Sequence, residues 1–156
     1  MKLSNIKGTI RGHNGILYEV LQKNDTPFKF RLLADYSFDS GIKLRKAAKT
    51  GLIELKTTGR AYARAGFLWD GATRFPDIKS VIRSSLGHDI LYTLFVLEML
   101  DQKHRKTVNG KFRDVCIEDG MCKFLATVVY RILRIFGDNH IRNAIKKNNQ
   151  LRKIRS

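Results

Sequence analysis

The spacing of apolar residues changes near Pro76, and this change constrains the fold more than any other feature of the sequence. Before Pro76, alternating, β-branched and aromatic stretches predict β-strands in Leu17–Gln22, Phe28–Tyr36 and Ile53–Phe67. Thr57–Arg60 has the composition of a turn, so the last of these segments is predicted to be a hairpin. The basic segment Lys43–Lys49 fits either one turn of helix or a loop.

Beyond Pro76, apolar residues recur with the spacing of an α-helix. Asp77 is placed to cap a first helix that begins near Ile78. The apolar face of this helix is predicted to contain Val81, Ile82, Leu86, Ile90, Leu91, Leu94, Phe95 and Leu97. The polar and basic segment Asp101–Lys111 is predicted to be the linker that follows.

Two further helices are predicted after this linker. The first, from about Phe112 to Phe136, has a wide apolar surface and should end at Gly137. The second is basic and amphipathic and reaches about Arg152. We therefore predict a single α+β domain over residues 1–156, mainly β in 1–76 and mainly α in 77–156. It would consist of an N-terminal antiparallel sheet or hairpins, two long antiparallel helices and a basic C-terminal helix.

The charge of the chain is strongly unbalanced, with 30 Lys and Arg against 14 Asp and Glu and a formal net charge of +16. Such an excess predicts attraction to a polyanion, either nucleic acid or an anionic membrane surface, and does not choose between them. The predicted polyanion-binding residues are concentrated at the C-terminal end: Lys146, Lys147, Arg152, Lys153 and Arg155. The alternative is a solvated helix face and tail.

The sequence contains no apolar run of the roughly 20 residues that a transmembrane helix requires. The N-terminal segment has no continuous apolar core, so no signal peptide is predicted, and a cytoplasmic location is expected. Cys116 and Cys122 lack the second pair of ligands that a zinc site needs. They are predicted to be two buried thiols of one helix.

Candidate site residues are concentrated in Gly66–Tyr92, where Asp70 lies in a glycine-containing turn ahead of a helix with His88, Asp89 and Tyr92. Polar groups inside apolar segments are costly to bury unless they are paired or coordinate a metal ion. His88 and Tyr92, one turn apart, would share a helix face. An antiparallel second helix would then bring Asp119 opposite His88.

This arrangement predicts a catalytic group formed by His88, Asp119 and Tyr92. An imidazole titrates near neutral pH and can act as a general base, while Asp119 would fix its tautomer and Tyr92 would hold Asp119. Asp89 and the Asp70 turn would bind Ca²⁺ or another hard divalent cation, and no other cofactor is expected. The alternative is a structural network in which Arg113 pairs with Asp119 or Asp89.

Three motifs occur in order along the chain: Gly66-Phe67-Leu68-Trp69-Asp70-Gly71-Ala72-Thr73, then His88-Asp89-Ile90-Leu91-Tyr92, then Arg113 with Asp119. Together they resemble a domain family of unknown function found in tailed phages and prophages. The resemblance covers roughly Tyr62–Gly137, and it adds Gly71, Thr73 and Arg113 as residues that support the site. The chain departs from the family pattern in its late proline, Pro76, and in Glu118, which replaces an alanine. The resemblance implies a phage-type protein, in the host cytoplasm or associated with the virion.

His-Asp-x-x-Tyr on one helix, answered by an Asp on an antiparallel helix, is similar to the active-site helix pair of phospholipases of the A2 class. That resemblance implies a metal-assisted ester hydrolase in which His88 activates water, Asp89 binds calcium and Asp119 orients His88. The chain lacks the disulfides and the glycine-rich calcium loop of the secreted enzymes. The alternative is a non-enzymatic phage accessory or virion-associated protein, whose polar cluster is structural and whose basic surface binds nucleic acid or an anionic membrane.

Overall fold

The strands of the first half form two antiparallel sheets. A computed structural model describes residues 8–22, 28–71 and 78–155. In the first sheet the strand order is β1 (Thr9–His13), β2 (Ile16–Val20), β3 (Phe30–Leu32) and β8 (Leu68–Trp69). In the second sheet the order is β4 (Tyr36–Asp39), β7 (Arg60–Ala63), β6 (Ile53–Leu55) and β5 (Ala48–Thr50).

Several strand predictions need correction. The sequence Asn14-Gly15 closes the β1–β2 hairpin with φ angles of 44° and 81°, a strong hairpin signal that the sequence analysis did not use. The predicted strand Phe28–Tyr36 is divided, because β3 and β4 belong to different sheets. The predicted hairpin within Ile53–Phe67 is confirmed as β6–β7. Lys43–Lys49 contains no helix and leads into β5.

The second half contains three α-helices: α1 (Lys79–Val96), α2 (Arg105–Glu118) and α3 (Lys123–Arg155). A 3₁₀ turn, Gln102–His104, precedes α2 and is capped by the side chain of Asp101. Helix α1 begins where it was predicted, with Ile78 at its N-cap, while Asp77 lies outside the described residues. The α+β prediction is confirmed.

The boundaries of the other helices differ from the prediction. Asp101–Lys111 is not a linker, because most of it belongs to the 3₁₀ turn and α2. The predicted helix Phe112–Phe136 is interrupted after Glu118, where Gly120 adopts a φ of 102°. Gly137 does not end a helix; it lies inside α3, where an added Cβ would come within 2.6 Å of the Tyr92 hydroxyl oxygen. This glycine therefore allows α3 to pass close to α1.

Helices α1 and α2 pack antiparallel. Arg83 near the start of α1 contacts Asp119 at the end of α2, and Tyr92 near the end of α1 contacts Asn109 near the start of α2. The main core lies between the sheets and α1 and contains Trp69, whose indole nitrogen donates to Ser85 Oγ at 3.2 Å. The register between the two helices decides which polar side chains meet.

Two further predictions can be compared with the structure. Within the part of the chain that the structure describes, no helix combines the length and the apolar character needed to cross a membrane. Both cysteines are free, but only Cys116 is buried, whereas Cys122 is exposed in the segment between α2 and α3. The prediction of two buried thiols on one helix is therefore wrong.

Candidate functional site

His88, Tyr92 and Asn109 form a polar cluster between α1 and α2. His88 Nε2 lies 3.1 Å from Asn109 Oδ1, and the Tyr92 hydroxyl donates to the same oxygen at 2.8 Å. An amide oxygen only accepts hydrogen bonds, so Nε2 must carry the proton in this contact. In the neutral imidazole, the other nitrogen, Nδ1, is then the basic one.

The surroundings of the His88 ring hold it in place. The ring stacks on Tyr92 with a centroid distance of 3.8 Å, and Phe112 meets its edge at 5.4 Å. The side chain of His88 retains 10% exposure, whereas Asn109 is only 2% exposed. Asn109 thus fixes the imidazole from the buried side and leaves the opposite side accessible.

Asp89 lies beside the free nitrogen of His88, and Asp70 lies beside Asp89. Asp89 Oδ1 is 3.9 Å from His88 Nδ1, and Asp89 Oδ2 accepts from the backbone N–H of Asp70 at 3.4 Å. Burial and the neighbouring Asp89 carboxylate raise the pKa of Asp70, against the opposing effect of Lys29 and His140. The two residues predicted to bind a metal ion are therefore close together.

These residues line an open groove with a volume of about 830 Å³ between the sheets, α1 and α3. His88, Asp89, Asp70, Tyr92 and Gly71 contribute to its lining. Most of the wall is apolar and is formed by Phe28, Leu52, Phe67, Leu68, Val96, Leu97, Ile132, Leu133 and Phe136. The groove thus combines a small polar region with a long apolar wall.

Asp119 is not part of this cluster. Its carboxylate accepts from Arg83 Nε at 3.0 Å, from the second Arg83 nitrogen at 2.8 Å and from Asn14 Nδ2 at 2.6 Å. The prediction that Asp119 orients His88 is therefore wrong, and so is the prediction that Tyr92 holds Asp119. Asn109 takes the place predicted for Asp119 in both contacts, with His88 and with Tyr92, because α2 begins earlier than predicted and ends at Glu118.

The other predicted supporting residues divide into three cases. Arg113 does not pair with Asp119 or Asp89; its Nε donates to Asp114 at 3.1 Å and its guanidinium lies over the Tyr130 ring. Gly71 lines the groove with a φ of 73°. Thr73 lies outside the described residues.

Asn109 is the site residue that the sequence analysis missed. It lay in the segment that was interpreted as a linker. Its neighbours Val108, Phe112 and Val115 are all buried and follow the spacing of one helix face. This apolar spacing was the available signal, since it places Asn109 inside a helix next to a buried position.

The donor set near Asp70 and Asp89 is suited to a hard cation, but it is small. Among the described residues, no group of three or more His, Cys, Asp or Glu side chains is arranged to hold a metal ion. The two carboxylates could be supplemented by backbone carbonyl oxygens of the Asp70-Gly71 turn, which are oxygen ligands of the kind that Ca²⁺ accepts. The site fits a cation through two side chains only.

The predicted polyanion-binding residues lie on the last turns of α3. Ile141 is buried and Ile145 packs against the core, so this part of the helix is docked on the domain. Lys146 is exposed. The side chains of Lys147, Arg152, Lys153 and Arg155 are outside the described part of the chain, although the backbone of α3 extends to Arg155.

Comparison of the chain with protein-family models, with curated proteins and with solved structures found no match. The resemblance to the tailed-phage domain family therefore stays a prediction. Function has to be inferred from the side chains that the fold brings together.

Proposed function

We propose that the protein is an ester hydrolase in which His88 is the general base. The observation that carries this proposal is the fixed orientation of His88. Asn109 holds Nε2 from the buried side, and Nδ1 lies near Asp89 at the groove. A general base needs both a defined tautomer and access to the reacting water, and this arrangement supports both requirements.

The separation of 3.9 Å between His88 Nδ1 and Asp89 Oδ1 is too long for a direct hydrogen bond, so Nδ1 can accept a hydrogen bond from a water molecule in the groove. In the proposed reaction, Nδ1 takes a proton from this water as its oxygen attacks the ester carbonyl carbon. The C–O bond to the leaving group then breaks, and the proton on Nδ1 passes to the departing alkoxide oxygen. Asp89 stabilises the imidazolium between these two steps.

A hard divalent cation such as Ca²⁺ fits this proposal. Asp70 and Asp89 would bind it, and when bound it would supply positive charge to the oxygen of the ester carbonyl. The raised pKa of Asp70, caused first by burial and then by the neighbouring Asp89 carboxylate, supports this role, because a bound cation would offset both effects.

The apolar wall of the groove supports a substrate class. An ester bound with its carbonyl at His88 would place an acyl chain along side chains such as Leu133 and Phe136. Burial of apolar surface contributes about 25 cal/mol per Å². We therefore propose esters with a long apolar chain as the substrate class.

The test is hydrolysis of chromogenic esters with short and long acyl chains, with and without added Ca²⁺. His88→Gln should lower turnover by about 100-fold or more, the size of a general-base contribution. His104→Ala, a histidine at the 3₁₀ turn outside the groove, is the matched control and should retain full activity. Thermal unfolding of each variant shows whether it remains folded.

Two outcomes would contradict the hydrolase proposal: no ester hydrolysis by the unmodified protein, or full activity in a folded His88→Gln variant. The non-enzymatic alternative would then be favoured. In that alternative the protein is a phage accessory or virion-associated protein in the host cytoplasm or on the particle, and the His88 cluster only stabilises the helix pair.

A second candidate function is binding of a polyanion by the C-terminal part of α3. The burial of Ile141 favours it, because a docked helix presents its basic residues from a fixed position. Replacement of Lys146, Lys147, Arg152 and Lys153 by Gln should weaken binding of duplex DNA or anionic vesicles. Binding should be micromolar and fall steeply between about 50 and 200 mM salt. Affinity that does not respond to salt or to these replacements would indicate a solvated tail.

A further inference from the structure

The N-terminal half of α3 carries apolar side chains that the other described residues leave partly or largely exposed. Phe124 is 80% exposed and Ile135 is 64% exposed. At about 100° per residue, these side chains point away from the buried residues Ala126 and Val129. We use the name α3 stripe for Phe124 and Ile135 together with four apolar residues of the same helix that are partly exposed or exposed: Leu125, Val128, Ile132 and Phe136.

The α3 stripe is continuous with the groove. Ile132 and Phe136 belong to the stripe and also line the groove. Across the groove, Phe28 and Leu52 are exposed as well, at 37% and 41%. The mouth of the groove therefore opens onto a single apolar surface, and scattered exposed side chains would not give this arrangement.

Basic residues border the α3 stripe. Arg131 and Arg134 are exposed beside it, and Arg142 and Lys146 continue on the same helix. The only acidic residue of α3 is Asp138. An exposed apolar stripe bordered by basic residues is the pattern of a helix that lies in the interface of an anionic bilayer.

We propose that the α3 stripe and the mouth of the groove dock on an anionic lipid surface. Charge complementarity favours lipid over a second copy of the chain. Two copies joined through this face would bring their arginines together, and each copy has a formal net charge of +16. The inference deepens the proposed function. One consequence rests on that function: an ester with a long chain enters the groove directly from the bilayer.

The experiment is flotation with two kinds of vesicle, phosphatidylcholine alone and phosphatidylcholine mixed with phosphatidylglycerol. The unmodified protein should bind the anionic vesicles at least about 10-fold more tightly. The double variant Phe124→Asp with Ile135→Asp should lose at least about 10-fold in affinity for them. The control is Ile10→Asp, at a residue 48% exposed on β1; it adds one negative charge outside the stripe, and the small loss that this charge alone causes should be well below the loss in the double variant.

Three results would overturn the docking proposal. They are no binding of the unmodified protein to anionic vesicles, undiminished binding of the double variant, and equal weakening by Ile10→Asp. Sedimentation provides a further check, since a dimer that the double variant dissociates would identify a second copy as the occupant of the stripe.

Failure of docking and failure of the hydrolase proposal are distinguishable. His88→Gln should bind anionic vesicles normally, because His88 is not part of the α3 stripe. The double variant should still hydrolyse a short, soluble ester, because neither Phe124 nor Ile135 lines the groove. Vesicle binding without any ester hydrolysis would retain the docking surface and reject the enzyme. Hydrolysis of the soluble ester without vesicle binding would retain the enzyme and reject the docking surface.

Discussion

The same two helices, α1 and α2, hold two polar clusters that differ in charge and in what their members contact. At one end, Arg83 meets Asp119 and Glu118, and Asp119 also accepts from Asn14 of the β1–β2 turn. At the other end, His88 and Tyr92 meet the neutral amide of Asn109. We call these the ionic cluster and the amide cluster.

In the ionic cluster, the Asp119 carboxylate accepts its hydrogen bonds from Arg83 and Asn14, and His13 Nε2 lies 3.8 Å from it. The Asp119 side chain is 1% exposed, and its hydrogen bonds to Arg83 raise the pKa of the guanidinium. This cluster joins the first sheet to both helices. In the amide cluster, His88 Nδ1 has no hydrogen bond among the described residues and lies near the groove. The comparison indicates that the charged group stabilises the fold and that the neutral group is the one able to act on a ligand.

Ser84 and Cys116 lie between the two clusters, with Oγ and Sγ 3.1 Å apart. Burial raises the pKa of the Cys116 thiol to about 11, so the thiol stays protonated at neutral pH. This uncharged pair lies between the two clusters, and Arg83, Glu118 and His88 also line one cavity of about 330 Å³. Because no hydrogen bond or ion pair joins Asp119 to His88 among the described residues, the two clusters can be changed one at a time.

The largest effect on stability is expected from Asp119→Ala. Removal of this carboxylate breaks a partly buried ion pair and should lower the free energy of unfolding by about 3 kcal/mol. Activity per folded molecule should not change, since Asp119 does not contact His88. Chemical unfolding and ester hydrolysis measure the two quantities. Asp114→Ala is the control, because the pair of Asp114 with Arg113 is exposed and should contribute less than about 1 kcal/mol.

Loss of turnover in folded Asp119→Ala would contradict the separation of the clusters. It would instead favour the pairing of Asp119 with His88 that the sequence analysis predicted.

The second prediction concerns Asn109. Asn109→Ala leaves the buried Tyr92 hydroxyl without its acceptor, so it should destabilise the fold by about 1–3 kcal/mol. It should also lower kcat by about 10-fold with little change in KM, because His88 loses its orientation and the groove keeps its shape.

The variant Asn109→Asp separates the effect of Asn109 on the orientation of His88 from its effect on the stability of the fold. An aspartate can accept from both Tyr92 and His88, so activity should be partly retained. Its negative charge favours the protonated imidazole, and the acid limb of the pH–rate profile should therefore move to higher pH. An unchanged pH profile in this variant would show that Asn109 does not contact the catalytic base.

The contrast between the clusters also shows how far the sequence could predict the site. The change in apolar spacing near Pro76 was sufficient for the α+β fold, and local spacing placed His88 and Tyr92 on one face of α1. The partner of His88 depends on where α2 begins and ends. That position is set by Gly120, whose positive φ interrupts the helix, and by the burial of Val108 and Phe112.

Gly137 failed as a boundary signal for a related reason. A glycine can end a helix or permit a close approach between helices, and the sequence alone does not distinguish these uses. Here α3 continues through Gly137. A glycine is needed at this position because the Tyr92 hydroxyl occupies the space that a Cβ would need. Local propensity was therefore a weaker guide than tertiary packing at this position.

The smallest effect in the absence of added metal is expected at Asp70, a residue that also tests whether the groove next to the amide cluster holds a cation. The folded-state pKa of Asp70 is raised by burial and by Asp89. The folded protein therefore binds the proton of Asp70 more tightly than the unfolded chain does. The stability that this proton contributes is fully present below the pKa of Asp70 in the unfolded chain, and it is lost as pH rises through the pKa in the folded protein. Asp70→Asn removes the titrating carboxyl group. At a pH above the folded-state pKa of Asp70, the variant should therefore be slightly more stable than the unmodified protein, by less than about 1 kcal/mol.

Without Ca²⁺ the Asp70→Asn variant should be slightly more stable than the unmodified protein, whereas with Ca²⁺ it should be the less stable of the two. If Asp70 and Asp89 bind the cation, Ca²⁺ at 100 times its dissociation constant should stabilise the unmodified protein by about 2.7 kcal/mol, and Asp70→Asn should lose most of this gain. Thermal unfolding at neutral pH, with and without Ca²⁺, measures both effects. Asp35→Asn, at a carboxylate that contacts Arg64 on the surface, is the control and should respond to Ca²⁺ like the unmodified protein. An equal response of all three proteins would remove the cation from the proposed mechanism and leave His88, held by Asn109 and flanked by Asp89, as the proposed catalytic group.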